Sequence, residues 1–71
     1  MYTTEVRVVN GFAFNIIEMH DGYRVFIYTE DDKAIPQIQL AAEMEWPYLQ
    51  ELMIQPRGNN RMPGVTFKLP A

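Results

Sequence analysis

The chain contains no cysteine, no serine and only one histidine. Without cysteine it can form no disulfide, and it lacks the nucleophile and base pairings that most covalent catalysis uses. A chain of 71 residues also has little room for both a core and a substrate cavity of roughly 300 Å³ or more. These absences predict that the protein is not an enzyme.

Metal ligands are also scarce. His20 stands beside Asp21 and near Glu18, which together offer nitrogen and oxygen ligands. Zinc sites normally need a second histidine or a thiolate, which the chain does not supply here. The acidic run 30–32 lacks the alternating acids, the glycine and the closing glutamate of a calcium loop. We therefore expect no metal and no other cofactor.

Long apolar runs are absent as well. No stretch approaches the roughly 18 consecutive apolar residues that a membrane span requires. The first residues do not show a basic region followed by an apolar one. The sequence therefore predicts no membrane partner and a cytoplasmic location.

The composition nevertheless favours a packed core. Apolar residues make up 48% of the chain, with four phenylalanines, four tyrosines and one tryptophan, and only four glycines. Residues 1–71 should form a single small domain, which buries roughly 60% of the surface of its unfolded chain. Domains of this size often need a disulfide, a metal or a second subunit. With no cysteine, a homodimer is the expected solution.

Two dipeptides organise the first thirty residues. Asn10-Gly11 and Asp21-Gly22 both suit the positive φ angles of tight hairpin turns. Strand-like sequence flanks each of them, and the predicted strands are Tyr2–Val9, Phe12–Met19 and Tyr23–Thr29. The sequence therefore predicts an antiparallel meander.

Alternation assigns faces to these strands. In the first strand Tyr2, Thr4, Val6 and Val8 share one face, which we expect to be the buried one. The second strand is partly apolar on both faces, which is typical of a central strand.

A helical pattern follows the acidic run. Beyond Lys33 the apolar spacing changes from two to about four residues. The resulting stripe consists of Leu40, Met44, Tyr48 and Leu52. Pro36 suits a first helical turn, whereas Pro47 inside a helix would cost about 3 kcal/mol. We therefore predict two short helices, Pro36–Glu45 and Pro47–Gln55, or one sharply kinked helix.

A last strand completes the prediction. Residues 56–64 are rich in proline, glycine and asparagine and should form a loop. Val65–Leu69 alternates and should add to a sheet edge. The predicted fold class is α+β, a three- to four-stranded antiparallel meander sheet packed against one broken helix.

The distribution of charge points to a partner. All carboxylates lie between Glu5 and Glu51, and the predicted helix carries several of them beside Trp46 and Tyr48. Tryptophan and tyrosine are enriched in interface hot spots, although in a small domain they also serve as core. We expect a non-catalytic protein-interaction module, a small regulator or inhibitor that docks an acidic, aromatic-bearing face on a basic partner. The expected contacts are Glu43, Glu45, Trp46, Tyr48 and Glu51.

A second hypothesis rests on the run Gly11-Phe12-Ala13-Phe14. It resembles the centre of the motif with which RNA recognition motifs and cold-shock domains stack bases, although Asn10 and Ile17 depart from that pattern. Burial of both phenylalanines against a helix is the competing interpretation. Arginines of the loop 56–64 could hold phosphate, or pair with the acidic helices. The alternative function is single-stranded nucleic-acid binding through Phe12, Phe14, Tyr23, Phe26, Arg57 and Arg61.

Overall fold

The structure, a computed structural model, describes residues 4–71, which form five strands, one short 3₁₀ turn and one α-helix. The strands are β1 (Thr4–Val9), β2 (Phe12–Met19), β3 (Gly22–Tyr28), β4 (Gln50–Gln55) and β5 (Gly64–Pro70). The 3₁₀ turn Asp32–Ala34 leads directly into the helix α1, Ile35–Glu45. All strand pairs are antiparallel, in the order β1-β2-β3-β5-β4. The predicted α+β class is confirmed, with five strands in place of three to four.

The meander β1-β2-β3 follows from its first turn. Asn10 and Gly11 have φ angles of 51° and 82°, so both adopt the left-handed conformation of a type I′ hairpin turn. The turn joins β1 to β2 in an unbroken register from Val9 opposite Phe12 to Thr4 opposite Ile17. Of the predicted first strand, residues 2 and 3 lie outside the described residues.

The second hairpin turn differs from the predicted Asp21-Gly22 by one residue. Met19 pairs with Gly22, so the two residues between them form the turn and Gly22 begins β3. Gly22 has a φ of 136°, and a Cβ atom there would collide with the carbonyl oxygen of Leu69 on β5. Glycine is therefore needed for close strand contact rather than for the turn itself.

The predicted second helix, Pro47–Gln55, is wrong. The helix α1 ends at Glu45, and Trp46 has φ −125° and ψ 78°, outside the helical region that a following proline disfavours. The N–H of Leu49 then donates to the carbonyl of Trp46 at 3.0 Å, which closes a turn. The chain continues as β4, whose extended residues pair with β5.

The last strand also lies elsewhere than predicted. β5 does not add to an edge of the sheet but lies between β3 and β4. Because residues 50–55 form a strand rather than a helix, β4 occupies the edge that had been expected for Val65–Leu69. The two edges of the sheet are therefore β1 and β4.

The core lies between α1 and one face of the sheet. The helix contributes Ile38, Ala41 and Ala42, all buried. Trp46 follows the last residue of the helix. The centroid of its ring lies 5.2 Å from that of Phe14 in an edge-on geometry and 5.3 Å from that of Phe67 in a tilted geometry. The remaining buried hydrophobic side chains of the strands are Val9, Ile16, Val25, Ile27 and Val65. We call this side of the sheet the helix face.

The opposite side of the sheet has no layer packed on it within residues 4–71. Val8 pairs with Ala13 and Val6 with Asn15, so these valines point away from α1 and are 67% and 57% exposed. The prediction that Thr4, Val6 and Val8 form the buried face is therefore wrong, because the register of β1 on β2 places Val9 on the helix face instead. We call this second side the open face.

The aromatic cluster generates a stability prediction. Replacing Trp46 by alanine should lower the free energy of unfolding by about 3–5 kcal/mol, because it leaves a cavity beside Phe14 and Phe67. Tyr48→Ala is the matched control, since Tyr48 is 81% exposed and its loss should change stability by no more than about 0.5 kcal/mol. Urea denaturation followed by circular dichroism measures both. Equal losses in the two variants would contradict this assignment of Trp46.

Candidate functional site

The open face carries five of the eleven exposed large apolar residues of the described chain. Val6 and Val8 of β1, Met19 of β2, Tyr28 of β3 and Met53 of β4 are all exposed there. Ile17 and Phe26 lie half-buried between them. Contiguous apolar patches of this kind mark interaction sites more often than ordinary surface.

Two basic residues lie on this face. Arg24 of β3 and Lys68 of β5 are direct cross-strand partners, so their side chains emerge on the same side of the sheet. Lys68 is neutralised, since its Nζ atom lies 2.8 Å from Oδ2 of Asp21. For Arg24 no carboxylate lies within ion-pair distance among residues 4–71. One guanidinium is therefore left to pair with a ligand.

A shallow depression surrounds this arginine. It encloses about 380 Å³, and its lining residues are Thr4, Ile17, Met19 and Arg24. The walls are mostly apolar, and the guanidinium supplies N–H donors suited to a planar anionic group such as a carboxylate. The arrangement can hold an apolar side chain beside a carboxylate.

Most carboxylates lie on the other side of the molecule or in its loops. Glu5 and Glu18 are on strand positions of the helix face, and Glu43 and Glu45 are on α1. The acidic run 30–32 lies in the loop before the helix and at the start of the 3₁₀ turn. The negative net charge of the chain is thus concentrated away from the open face.

The predicted partner contacts do not form one exposed surface. Trp46 was predicted to contact a partner, but its ring is buried in the aromatic cluster. Glu45 accepts a hydrogen bond of 3.4 Å from Arg7. The guanidinium of Arg7 lies 5.8 Å from the centroid of the Trp46 ring. Glu43 and Glu51 are exposed, the first on α1 and the second in β4.

Tyr48 is the exposed aromatic residue of that predicted set. It follows Leu40 and Met44, which lie four residues apart on one side of α1 and are also exposed. We call these three residues the helix stripe. The predicted stripe of four residues, which also included Leu52, is wrong, because α1 ends at Glu45 and Leu52 lies in β4. The helix stripe is a second group of exposed apolar residues.

The rings of the nucleic-acid hypothesis are divided between two sides. Phe14 is completely buried under α1, and Phe12 and Tyr23 share its face of the sheet. Phe26 instead lies on the open face. A base cannot stack on Phe14, so the predicted pair Phe12 and Phe14 does not provide a stacking platform.

The arginines of that hypothesis lie in the loop between β4 and β5. Arg57 donates to the Asp32 carboxylate at 2.8 Å and to the carbonyl of Glu30 at 2.6 Å. These contacts raise the pKa of Arg57, chiefly through the hydrogen bond with Asp32. Arg61 is exposed and its backbone pairs with Gly58. These contacts hold both arginines in the loop and do not place either of them next to the predicted rings.

Two further clefts are small. One of about 190 Å³ at the second hairpin turn is lined in part by Glu18 and His20, and the other, of about 280 Å³, lies on the helix face beside Trp46. Both are below the size of roughly 300 Å³ at which ligand pockets usually begin. Among residues 4–71 no three histidine, aspartate or glutamate side chains are grouped as metal ligands.

Comparisons with known proteins do not assign the chain. No protein-family model matches it, and comparisons with curated proteins and with solved structures give no significant match. In the described part of the chain, no helix has the length and apolar character that a membrane crossing would require. The chemistry of the site must therefore be inferred from its geometry.

The ion pair on the open face gives a pH prediction. The hydrogen bond from Lys68 lowers the pKa of Asp21 below its usual 3.8, and the same bond raises the pKa of Lys68 above 10.5. The pair therefore stabilises the fold fully between these usual values. Its contribution is lost as the pH falls through the lowered pKa of Asp21, and again as it rises through the raised pKa of Lys68.

Thermal denaturation of the wild type and of Asp21→Asn between pH 2 and pH 7 tests this. We expect the wild type to be the more stable protein at pH 7, and the two curves to converge at the acid end. A stability difference that is independent of pH would show that Asp21 acts through something other than its charge.

Proposed function

We propose that the protein is a non-catalytic protein-interaction module whose docking surface is the open face of its sheet. The observation that carries this proposal is the exposed apolar surface around an arginine that has no carboxylate partner among the described residues. We propose that the protein acts as a small regulator or inhibitor, because a protein that works by occupying its target needs only such a surface.

The partner chemistry follows from the face. Val8, Tyr28 and Met53 offer apolar area, and covering such area supplies most of the free energy of association. Arg24 adds charge selectivity, because its guanidinium attracts an unpaired carboxylate of the partner and repels another cation. We therefore propose a partner segment with a carboxylate flanked by apolar side chains.

This proposal differs from the expected docking of an acidic face on a basic partner. That arrangement would use the helix stripe together with Glu43 and Glu51. It has three exposed large apolar residues against five on the open face, and its tryptophan is buried in the core. We treat it as the competing outcome of the experiment.

Selection from a random peptide display library on the immobilised full chain provides the test. We expect the enriched peptides to combine apolar residues with aspartate or glutamate. The double variant Tyr28→Thr/Met53→Thr and the single variant Arg24→Gln should each weaken their binding about tenfold or more, measured by fluorescence anisotropy. Threonine preserves strand propensity, so the sheet should persist.

The matched control is Leu40→Gln/Met44→Gln, which removes a similar apolar area from the helix stripe with residues that favour helices. It should leave binding unchanged. Enrichment of basic peptides whose binding depends on the helix stripe would overturn the open-face proposal in favour of the acidic docking surface. Enrichment of no peptide class would count against both.

A second candidate function has one specific observation in its favour. The rings of Phe26 and Tyr28 lie 5.7 Å apart on the open face, near the basic pair Arg24 and Lys68. Aromatic rings that are accessible beside cations can stack single-stranded bases, although Phe26 is half-buried and is the one residue that this platform shares with the predicted set. A labelled oligonucleotide is therefore the second probe of the same variants, and binding that weakens steeply with salt would favour this function.

A further inference from the structure

The sheet has two edges, and they differ in regularity. β4 is interrupted by a register shift between Gln50 and Met53, where Glu51 has a φ of 52°. Such irregularities protect an edge against pairing with another strand. β1 is regular along its whole length and contains no proline, no lysine and no bulge. Within the described residues its outer side is unpaired.

The backbone groups that face this open edge can be identified. The two-residue turn after β1 closes on Val9 and Phe12, which form a hydrogen-bonded pair. Hydrogen-bonded pairs alternate along an antiparallel ladder, so every second residue counted back from Val9 bonds to β2. The residues whose N–H and C=O groups point to the open edge are Thr4, Val6 and Val8.

These three residues allow an antiparallel pairing of β1 with β1 of a second copy. A two-fold axis at Val6 places Val6 opposite its own copy and Thr4 opposite the second copy's Val8. The result is three hydrogen-bonded pairs, each of which exchanges two backbone bonds. All outward-facing backbone groups of β1 are then satisfied.

Charge selects this register over its neighbours. An axis at Glu5 would place two glutamates directly opposite each other, and an axis at Arg7 would do the same with two arginines, which destabilises strand pairing. The axis at Val6 instead places Glu5 opposite the second copy's Arg7, twice. Both side chains are accessible for this, with 58% of Glu5 and 45% of Arg7 exposed.

Arg7 also has hydrogen-bonding capacity left. Within its own chain it contacts Glu5 at 3.3 Å and Glu45 at 3.4 Å, both long for charge-assisted hydrogen bonds. Its position over the Trp46 ring keeps the guanidinium on the helix face, where the second copy's Glu5 would emerge. A closer ion pair can therefore form between chains.

We propose that the chain forms a two-fold homodimer through β1, centred on Val6, which joins two sheets into one. The dimer uses an edge and leaves the open faces uncovered, so it does not rest on the proposed docking function. It brings Val6 and Val8 of both copies together and makes the two open faces continuous.

Sedimentation velocity of the full chain over a range of concentrations tests the dimer. The wild type should associate reversibly. Val6→Pro removes an N–H that points to the open edge and none that bonds to β2, so the fold should persist while the dissociation constant rises about tenfold or more. Val6→Thr, which keeps this N–H, is the matched control and should associate like the wild type.

Charge reversal tests the register. Glu5→Arg alone and Arg7→Glu alone each place like charges opposite one another, and each should dissociate about tenfold more readily than the wild type. An equimolar mixture of these two variants regains both ion pairs and should form a heterodimer. Circular dichroism of each variant checks that it is folded.

Three results would overturn the proposal. The first is a wild type that stays monomeric at every concentration, and the second is a mixture that associates no better than its components. The third is a dimer that dissociates in the double variant Tyr28→Thr/Met53→Thr but stays intact in both charge-reversal variants. That result would place the contact on the open face.

Discussion

One helix of eleven residues has to cover a sheet of five strands, and the rest of the structure depends on that constraint. Such a helix is about 16 Å long, while five strands span about 19 Å, so one layer of helix suffices for one face only. The helix is held there by Trp46, which follows its last residue and packs against both Phe14 and Phe67. Within residues 4–71 nothing packs on the opposite face, which is left to solvent or a partner.

The local elements of the fold were largely predictable. The Asn10-Gly11 turn, the strand alternation and the helix near residues 36–45 follow from short-range rules that the structure obeys. The segment 50–55 was not predictable in this way, because its apolar spacing fits a helix as well as a strand. Pairing with β5 decides its conformation, and that partner lies beyond the reach of a local pattern.

The functional surface was harder to predict for a related reason. Alternation divides each strand into two faces but does not say which of them the helix covers, so Val6 and Val8 were assigned to the wrong side. The second apolar face of β2 was the available signal for the open face. Tryptophan is a residue type that is common in interface hot spots, yet Trp46 is buried in the core because it lies at the end of the helix. The basic pair of Arg24 and Lys68 emerges only from the register of β3 with β5.

The central claim is that one face of the sheet is buried and the other is open. It is tested most directly by valine methyl NMR with a soluble paramagnetic agent, at a concentration at which the chain is monomeric. We predict strong relaxation of the Val6 and Val8 methyl groups, and protection of those of Val25 and Val65, which lie under the helix. Equal protection of all four valines would show that the open face is covered, and would contradict this account.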